Sequence, residues 1–135
     1  MTYLLDTNAV SDLMARRPLV LERTAAALAG DRVVTCPIVV GELKYGLARL
    51  PVGRRRTALE QRATEVLSLL ESVPVPVVAA EHYATAKVHR QTLGVSMDEN
   101  DLWVLAVARS LDAVLVTRDQ DFQVMPGIRL EDWSS

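Results

Sequence analysis

The chain has 135 residues, of which 50% are hydrophobic and 24% are charged, and its formal net charge at pH 7 is −2. This balance is typical of one globular domain and excludes a disordered chain or a strongly basic protein that coats nucleic acid. Because Cys36 is the one cysteine, the first residues lack a signal-peptide pattern and no apolar run approaches roughly 18 residues, we expect a cytoplasmic protein without disulfides or membrane contact.

Hydrophobic runs separated by glycine and proline predict helices that alternate with strands. In chain order the pattern predicts a strand over 3–5, a helix over 18–29 with Gly30 past its end, a strand over 33–36, a helix from Pro37 that carries Glu42, a loop over 51–56, a helix over 57–71, a strand over 75–78, a helix over 80–93, a helix over 102–111, and strands over 113–117 and 128–130. Ser96 and Glu99 have the spacing of a capping box ahead of the 102–111 helix. Such alternation predicts right-handed crossovers and a parallel sheet with helices on both faces.

Four acidic residues are predicted to lie at the same edge of that sheet. Asp6 follows the first strand and Asp119 follows the strand over 113–117, while Glu42 and Asp101 lie in the early turns of two helices. Ligands of open parallel sheets bind at the carboxyl ends of the strands. Crowded carboxylates repel one another unless a divalent cation neutralises them, and Mg²⁺ prefers such oxygen ligands. A cation held there could activate water for phosphodiester cleavage.

Each of these acids also has a purely structural interpretation. Asp6 could begin an Asx turn, Glu42 could be a solvated helix residue, and Asp119 could be a turn residue. The acids at positions 98, 99 and 101 could complement a helix dipole. The metal interpretation gains its weight from the coincidence that all four acids occupy the edge that binds ligands.

The segments around the acids resemble the PIN-domain ribonucleases, and within them the VapC toxins of bacterial toxin–antitoxin pairs. Four blocks in the same order, followed by a typical closing segment, carry the resemblance: LLDTNAVSDL, IVVGELKYGL, ENDLWVLAVA, LVTRDQDF and PGIRLEDW. The resemblance runs over residues 3–133, although residues 50–95 match only in helical character. It implies an α/β fold in a single domain over residues 1–135, namely a PIN-like three-layer sandwich with a central, mainly parallel sheet covered by helices.

The resemblance also implies roles for individual residues. Asp6, Glu42, Asp101 and Asp119 would form the catalytic cluster of an Mg²⁺-dependent endoribonuclease, with Mn²⁺ as an alternative ion. Asp6 and Asp101 would hold the metal directly, Asp119 directly or through water, and Glu42 would orient the water. Asp98 departs from the family pattern, whose acid lies three residues later, and we expect it to support or cap. The supporting residues are therefore Thr7, Asn8, Asp98 and Thr117.

The same resemblance implies partners. We expect an RNA substrate, with transfer or ribosomal RNA as the family's targets, a cognate VapB-like antitoxin, and a homodimer. Exposed apolar groups around Leu13, Met14 and Leu19 could dock a helix of that antitoxin. Residues 49–62 carry five arginines against one acid, so Arg54–Arg56 are candidates for RNA binding, with a solvated loop as the alternative.

Three other functions remain to be weighed against the ribonuclease. A catalytically silent PIN fold that binds only RNA or a protein would have lost acids, and none of the four is lost. A receiver-like signalling domain needs a lysine after a late strand, whereas Lys44 and Lys87 are the only lysines. A haloacid-dehalogenase-type phosphatase needs Asp-x-Asp after the first strand, where this chain has Asp6-Thr7-Asn8.

Overall fold

The computed structural model describes residues 1–135, apart from the side chain of Val124. Every pair of neighbouring strands in its sheet is parallel, in the order β3-β2-β1-β4-β5. The strands are β1 (Thr2–Leu5), β2 (Arg32–Thr35), β3 (Glu71–Ser72), β4 (Val114–Val116) and β5 (Arg129–Glu131). The helices are α1 (Thr7–Met14), α2 (Pro18–Gly30), α3 (Pro37–Ala48), α4 (Arg54–Leu69), α5 (Ala79–Thr92) and α6 (Glu99–Ser110), with a short 3₁₀ helix at Gln120–Val124.

The order in which the chain adds strands to the sheet changes direction at β1. The chain passes from β1 to β2 and β3 on one side, and it later returns to place β4 and β5 on the other side of β1. Because crossovers between parallel strands are right-handed, this reversal puts the helices of the two halves on opposite faces. Helices α1, α3 and α4 pack against one another, and α5 packs against α6. The predicted parallel sheet within three layers is thereby confirmed, and ligands of such sheets bind in the crevice between β1 and β4.

The central strands are buried because both of their faces are covered. Leu4, Leu5 and Leu115 are completely inaccessible to solvent. Strands of this kind have continuous apolar runs instead of alternating ones, as β4 does. At the C-terminal end, the Trp133 ring lies 5.2 Å from the Tyr3 ring and is also buried, which holds the tail against β1.

Two segments differ from their predicted secondary structure. The strand predicted over 75–78 is absent, and its place beside β2 is taken by the two-residue strand β3. Pro74 and Pro76 have no backbone N–H to donate to a neighbouring strand, which explains the shift. Arg54–Arg56 form the first turn of α4 and not a loop, because arginine favours helices and Gly53 precedes them at the N-cap.

Two helix starts also differ from the sequence prediction. Helix α1 was not predicted, because its eight residues are too few for a clear periodic pattern. At α6 the capping residue is Asp98, whose Oδ1 accepts a hydrogen bond from the Asn100 N–H at 2.9 Å, so the predicted capping box from Ser96 is wrong. None of the described helices is long and apolar enough to cross a membrane.

Candidate metal centre

A cavity of about 600 Å³ opens at the crevice between β1 and β4. The structure brings all four predicted catalytic acids to its walls, together with a fifth carboxylate. The acids that line it are Asp6, Glu42, Asp98, Asp101 and Asp119. They meet because β1 and β4 end side by side, while the first turns of α6 and the second turn of α3 reach the same edge.

Asp6 is the most buried of these acids, with 4% of its surface exposed, and its carboxylate is fixed by its neighbours. Its Oδ1 accepts a hydrogen bond from the Thr7 N–H at 2.8 Å, and its Oδ2 accepts one from the Thr117 hydroxyl at 3.0 Å. The Asn8 amide donates to the Thr117 hydroxyl at 3.0 Å, and the Asp119 N–H donates to that hydroxyl at 3.1 Å. The three predicted supporting residues Thr7, Asn8 and Thr117 therefore surround Asp6.

Three of the acids are helix caps as well as cavity residues. Asp6 caps α1, Asp98 caps α6, and Asp119 caps the 3₁₀ helix by accepting a hydrogen bond from the Asp121 N–H at 2.9 Å. The positive ends of these helices therefore partly compensate the concentrated negative charge. The structural interpretation of these acids and the metal interpretation thus apply to the same side chains.

Burial, together with repulsion from neighbouring carboxylates, raises the pKa values of Asp6, Glu42 and Asp101. Burial, followed by repulsion from Asp6, Asp119, Asp98 and Glu42, raises the pKa of Asp101 to about 7. Burial also raises the pKa of Asp6, to which the charge of Asp119 adds. The pKa of Glu42 is raised by burial and then by Asp6 and Asp98. A cation in this cavity would relieve the repulsion that these shifts express.

The donor set fits a hydrated cation. No three His, Cys, Asp or Glu side chains of the described residues lie close enough to hold one metal ion directly. This agrees with the capping geometry, in which Asp6, Asp98 and Asp119 turn towards backbone N–H groups. Glu42 Oε1 and the Thr7 hydroxyl are buried and make no hydrogen bond of normal geometry with any described residue. Mg²⁺ keeps several of its waters when bound, and such waters could bridge these oxygens.

Several cavity residues were not predicted from the sequence. They are Ser11, Tyr45, Gly46, Arg49, Asn100 and Arg118. Tyr45 and Arg49 lie three and seven positions after Glu42, which is the spacing of one helix face, and that spacing could have revealed them. Conversely, Arg54–Arg56 do not line the cavity, and Arg56 pairs with Glu60 at 3.0 Å.

A buried arginine links the two loops that carry Asp98 and Asp119. Arg90, on α5, is 2% exposed and donates to the carbonyl oxygens of Ser96 at 2.9 Å and Asp121 at 3.1 Å. Because a buried guanidinium without partners is costly, these two bonds hold the loops together.

Comparison with known proteins identifies relatives over the whole chain. The family model for the PIN domain matches residues 3–128. The chain is 33% identical over 137 residues to "Ribonuclease VapC1" of Haemophilus influenzae strain 86-028NP, which covers 99% of each chain. The solved structure of VapBC-1 from nontypeable Haemophilus influenzae superposes with a TM-score of 0.86 at 28% identity, covering 100% of both chains. VapBC2 from Rickettsia felis, solved bound to a DNA fragment from its promoter, shares the fold with a TM-score of 0.90 at 23% identity over 98% and 99% of the chains.

The raised pKa of Asp101 predicts how stability depends on pH without a metal. Since its folded-state pKa is about 7 and its ordinary value is 3.8, its contribution to stability is complete below pH 3.8 and is lost as the pH rises through 7. Asn at this position stays neutral, so Asp101→Asn should flatten the fall in melting temperature between about pH 4 and about pH 7 in EDTA. Glu65→Gln removes an exposed carboxylate from α4 and is the matched control. Equal slopes for wild type and Asp101→Asn would contradict the assignment.

Proposed function

Because this chain belongs to the PIN-domain family, and within it to the VapC ribonucleases, we propose that it is a metal-dependent endoribonuclease that serves as the toxin of a toxin–antitoxin pair. The observation that carries the proposal is the convergence of five carboxylates on one cavity at the reversal point of the sheet. A catalytically silent module would have no need to concentrate carboxylates in a place where burial and neighbouring charges raise the pKa values of Asp6, Glu42 and Asp101.

The residues divide into those that hold a cation and those that handle water. Asp6, Asp101 and Asp119 would hold Mg²⁺, or alternatively Mn²⁺, and the ion would supply charge neutralisation and water activation for phosphodiester hydrolysis. Glu42 has a raised pKa and a buried oxygen that makes no hydrogen bond of normal geometry, with the Thr7 hydroxyl nearby, so it is suited to orient the attacking water and accept its proton. Thr117 and Asn8 keep Asp6 in place, and Asp98 adds charge at the rim.

Two helix-capping acids provide a matched test of this division. Asparagine caps helices as well as aspartate, so Asp6→Asn and Asp98→Asn each remove one charge while keeping the cap. We expect Asp6→Asn to abolish Mg²⁺ binding in calorimetry and to lower RNA cleavage by at least about 100-fold. Asp98→Asn should lower both much less.

Wild-type cleavage that EDTA abolishes is the positive control for that comparison. Equal losses in the two variants would overturn the choice of Asp6 over Asp98. Folded wild-type protein that binds RNA but does not cleave it in Mg²⁺ or Mn²⁺ would favour the silent binding module.

The RNA substrate, for which we propose transfer or ribosomal RNA, must be held by basic groups outside the acids. Arg54 and Arg55 are exposed at the start of α4, whereas Arg56 is engaged with Glu60 and the Leu50 carbonyl. Replacing all three with alanine should weaken RNA binding and flatten its salt dependence, by about 0.7 in log–log slope per lost phosphate contact. An unchanged slope, measured by fluorescence anisotropy across salt concentrations, would contradict their role in binding.

An apolar groove beside the acid cavity suits the antitoxin. The groove is about 400 Å³ in volume and lies between α1, α3 and α4, with Met14, Leu43, Leu47 and Leu59 in its walls. The sequence predicts exposed apolar groups at Leu13 and Met14, but α1 turns both inward: Leu13 is 3% and Met14 7% exposed, so both belong to the core, although Met14 also reaches the wall of the groove. Leu19 is exposed on α2 and does not line the groove. Relatives solved as VapBC complexes favour a VapB-like partner.

We propose that a helix of the antitoxin fills this groove and that one of its arginines or lysines pairs with the neighbouring carboxylates. Thr7 and Glu42 line both the groove and the acid cavity, so a short helix can reach both. Such a toxin would be cytoplasmic and would form a homodimer, the commonest assembly among symmetric homo-oligomers.

Expression in bacteria tests this form of control. Expression of the chain alone should arrest growth, co-expression of the neighbouring antitoxin gene should restore it, and Asp6→Asn should remove the arrest. Leu47→Asp should prevent rescue without preventing arrest, because it places a charge in the groove. Leu69→Asp, at a position 59% exposed and outside the groove, is the control. Normal growth with abundant folded wild-type protein would argue against a toxin.

A further inference from the structure

Arg118 lies in the wall of the acid cavity and yet pairs with none of the carboxylates that line it. Its Nε donates to Asp12 Oδ2 at 3.2 Å, and its backbone N–H donates to Asn8 Oδ1 at 3.2 Å. Its side chain remains 51% exposed, and its two terminal nitrogens donate to no described residue. A guanidinium beside five carboxylates would ordinarily form charge-assisted hydrogen bonds with them. Something therefore holds Arg118 away from these acids.

Asp12 provides that restraint. It lies on α1 outside the acid cavity, and only 6% of its side chain is exposed. Its Oδ2 accepts a hydrogen bond from the Nε of Arg118, and its Oδ1 forms an ion pair with the Nε of Arg17 at 3.1 Å. A carboxylate this deeply buried cannot turn to solvent, and leaving it without a cation would be costly. Its pairing with Arg118 is therefore much firmer than an exposed ion pair.

We propose that Asp12 is a positioning residue that holds Arg118 at the cavity wall as a phosphate-binding group for the RNA beside the bond to be cleaved. The inference rests on the proposed ribonuclease function and names a contact at that same site. Since Asp12 occupies only the Nε, the terminal nitrogens are left to bind a phosphate, whose geometry matches a guanidinium. By holding Arg118 in place, Asp12 keeps a positive charge at a cavity wall whose other charged groups are mostly acids that would repel a polyanion.

The same restraint keeps the acids available to a cation. If Asp12 were neutral, Arg118 would be free to turn into the cavity and pair with Asp119 or its neighbours. A guanidinium in that position competes with Mg²⁺ for the same oxygens. Asp12 thus separates two positive groups that act on the RNA, the cation among the acids and the arginine at the wall.

Arg17 offers a matched control because it pairs with the same carboxylate but does not line the acid cavity. In each single substitution to alanine, Asp12 keeps the other arginine, so neither variant leaves a buried charge unpaired. The readouts are KM and kcat for a single-stranded oligoribonucleotide in Mg²⁺, the affinity for that RNA in EDTA at several salt concentrations, and Mg²⁺ affinity by calorimetry.

We expect Arg118→Ala to raise KM and weaken RNA binding by about tenfold, which is the scale of one charge-assisted hydrogen-bonding group. Its salt slope should fall by about 0.7, and its kcat should change less than its KM. Its Mg²⁺ affinity should not fall, whereas a general disturbance of the site would lower it. Arg17→Ala should match wild type in all of these measurements.

The pair Asp12→Asn and Asp12→Asn/Arg118→Ala tests the positioning itself. Asp12→Asn should lower Mg²⁺ affinity severalfold, and the second substitution should restore it by removing the competing guanidinium. If Asp12→Asn does not fold, the comparison of Arg118→Ala with Arg17→Ala decides. Wild type that cleaves the RNA while Arg118→Ala keeps its KM and salt slope overturns this inference alone. Wild type that neither binds nor cleaves RNA overturns the proposed function and this inference with it.

Discussion

The hydrogen bond from the Thr117 hydroxyl to Asp6 joins the ends of the two strands between which the sheet reverses its direction. It is 3.0 Å long, and the same hydroxyl accepts from the Asn8 amide and from the Asp119 N–H. One buried oxygen thus fixes the relative positions of a strand end, a helix start and a second acid. The cavity, the neighbouring groove and the arrangement of Arg118 all depend on β1 and β4 ending together at this point.

The repulsion among the acids is tolerated because most of them also have a structural partner. Asp6, Asp98 and Asp119 accept hydrogen bonds from helix N-termini, so the fold gains three caps from residues that would otherwise only repel one another. Asp101 has no such bond, and it has the pKa that is raised to about 7. Stability and function therefore share side chains here, and Asp101 is the acid on which burial and the charges of its neighbours act without a compensating hydrogen bond.

Local sequence patterns predicted the parts of the fold that local physics decides. The apolar run of β4 and Pro37 at the start of α3 are signals contained within a few residues, and they predict the positions of Asp119 and Glu42 at the edge where the structure has them. β3 could not be located in this way, since two residues become a strand only by pairing with β2. The pairing of Asp12 with Arg118 spans 106 positions, and no spacing rule connects them. The density of arginines along the sequence indicates Arg54–Arg56, whereas the burial of Asp12 and the position of the cavity, which only the fold reveals, indicate Arg118.

The central strand β1 is the first strand of the sheet to be synthesised, but its neighbour β4 is synthesised late. Asp6 lies 111 residues ahead of Thr117, so an emerging chain has its first acid from the start and receives its buried partner only near the end. At translation rates of about 5–20 residues per second, this interval is of the order of ten seconds. During that time neither the pairing of β1 with β4 nor the cavity at their ends can exist. In a nascent chain of this topology the acid cavity therefore forms only after β4 has left the ribosome, and nothing can be bound among the five acids before then.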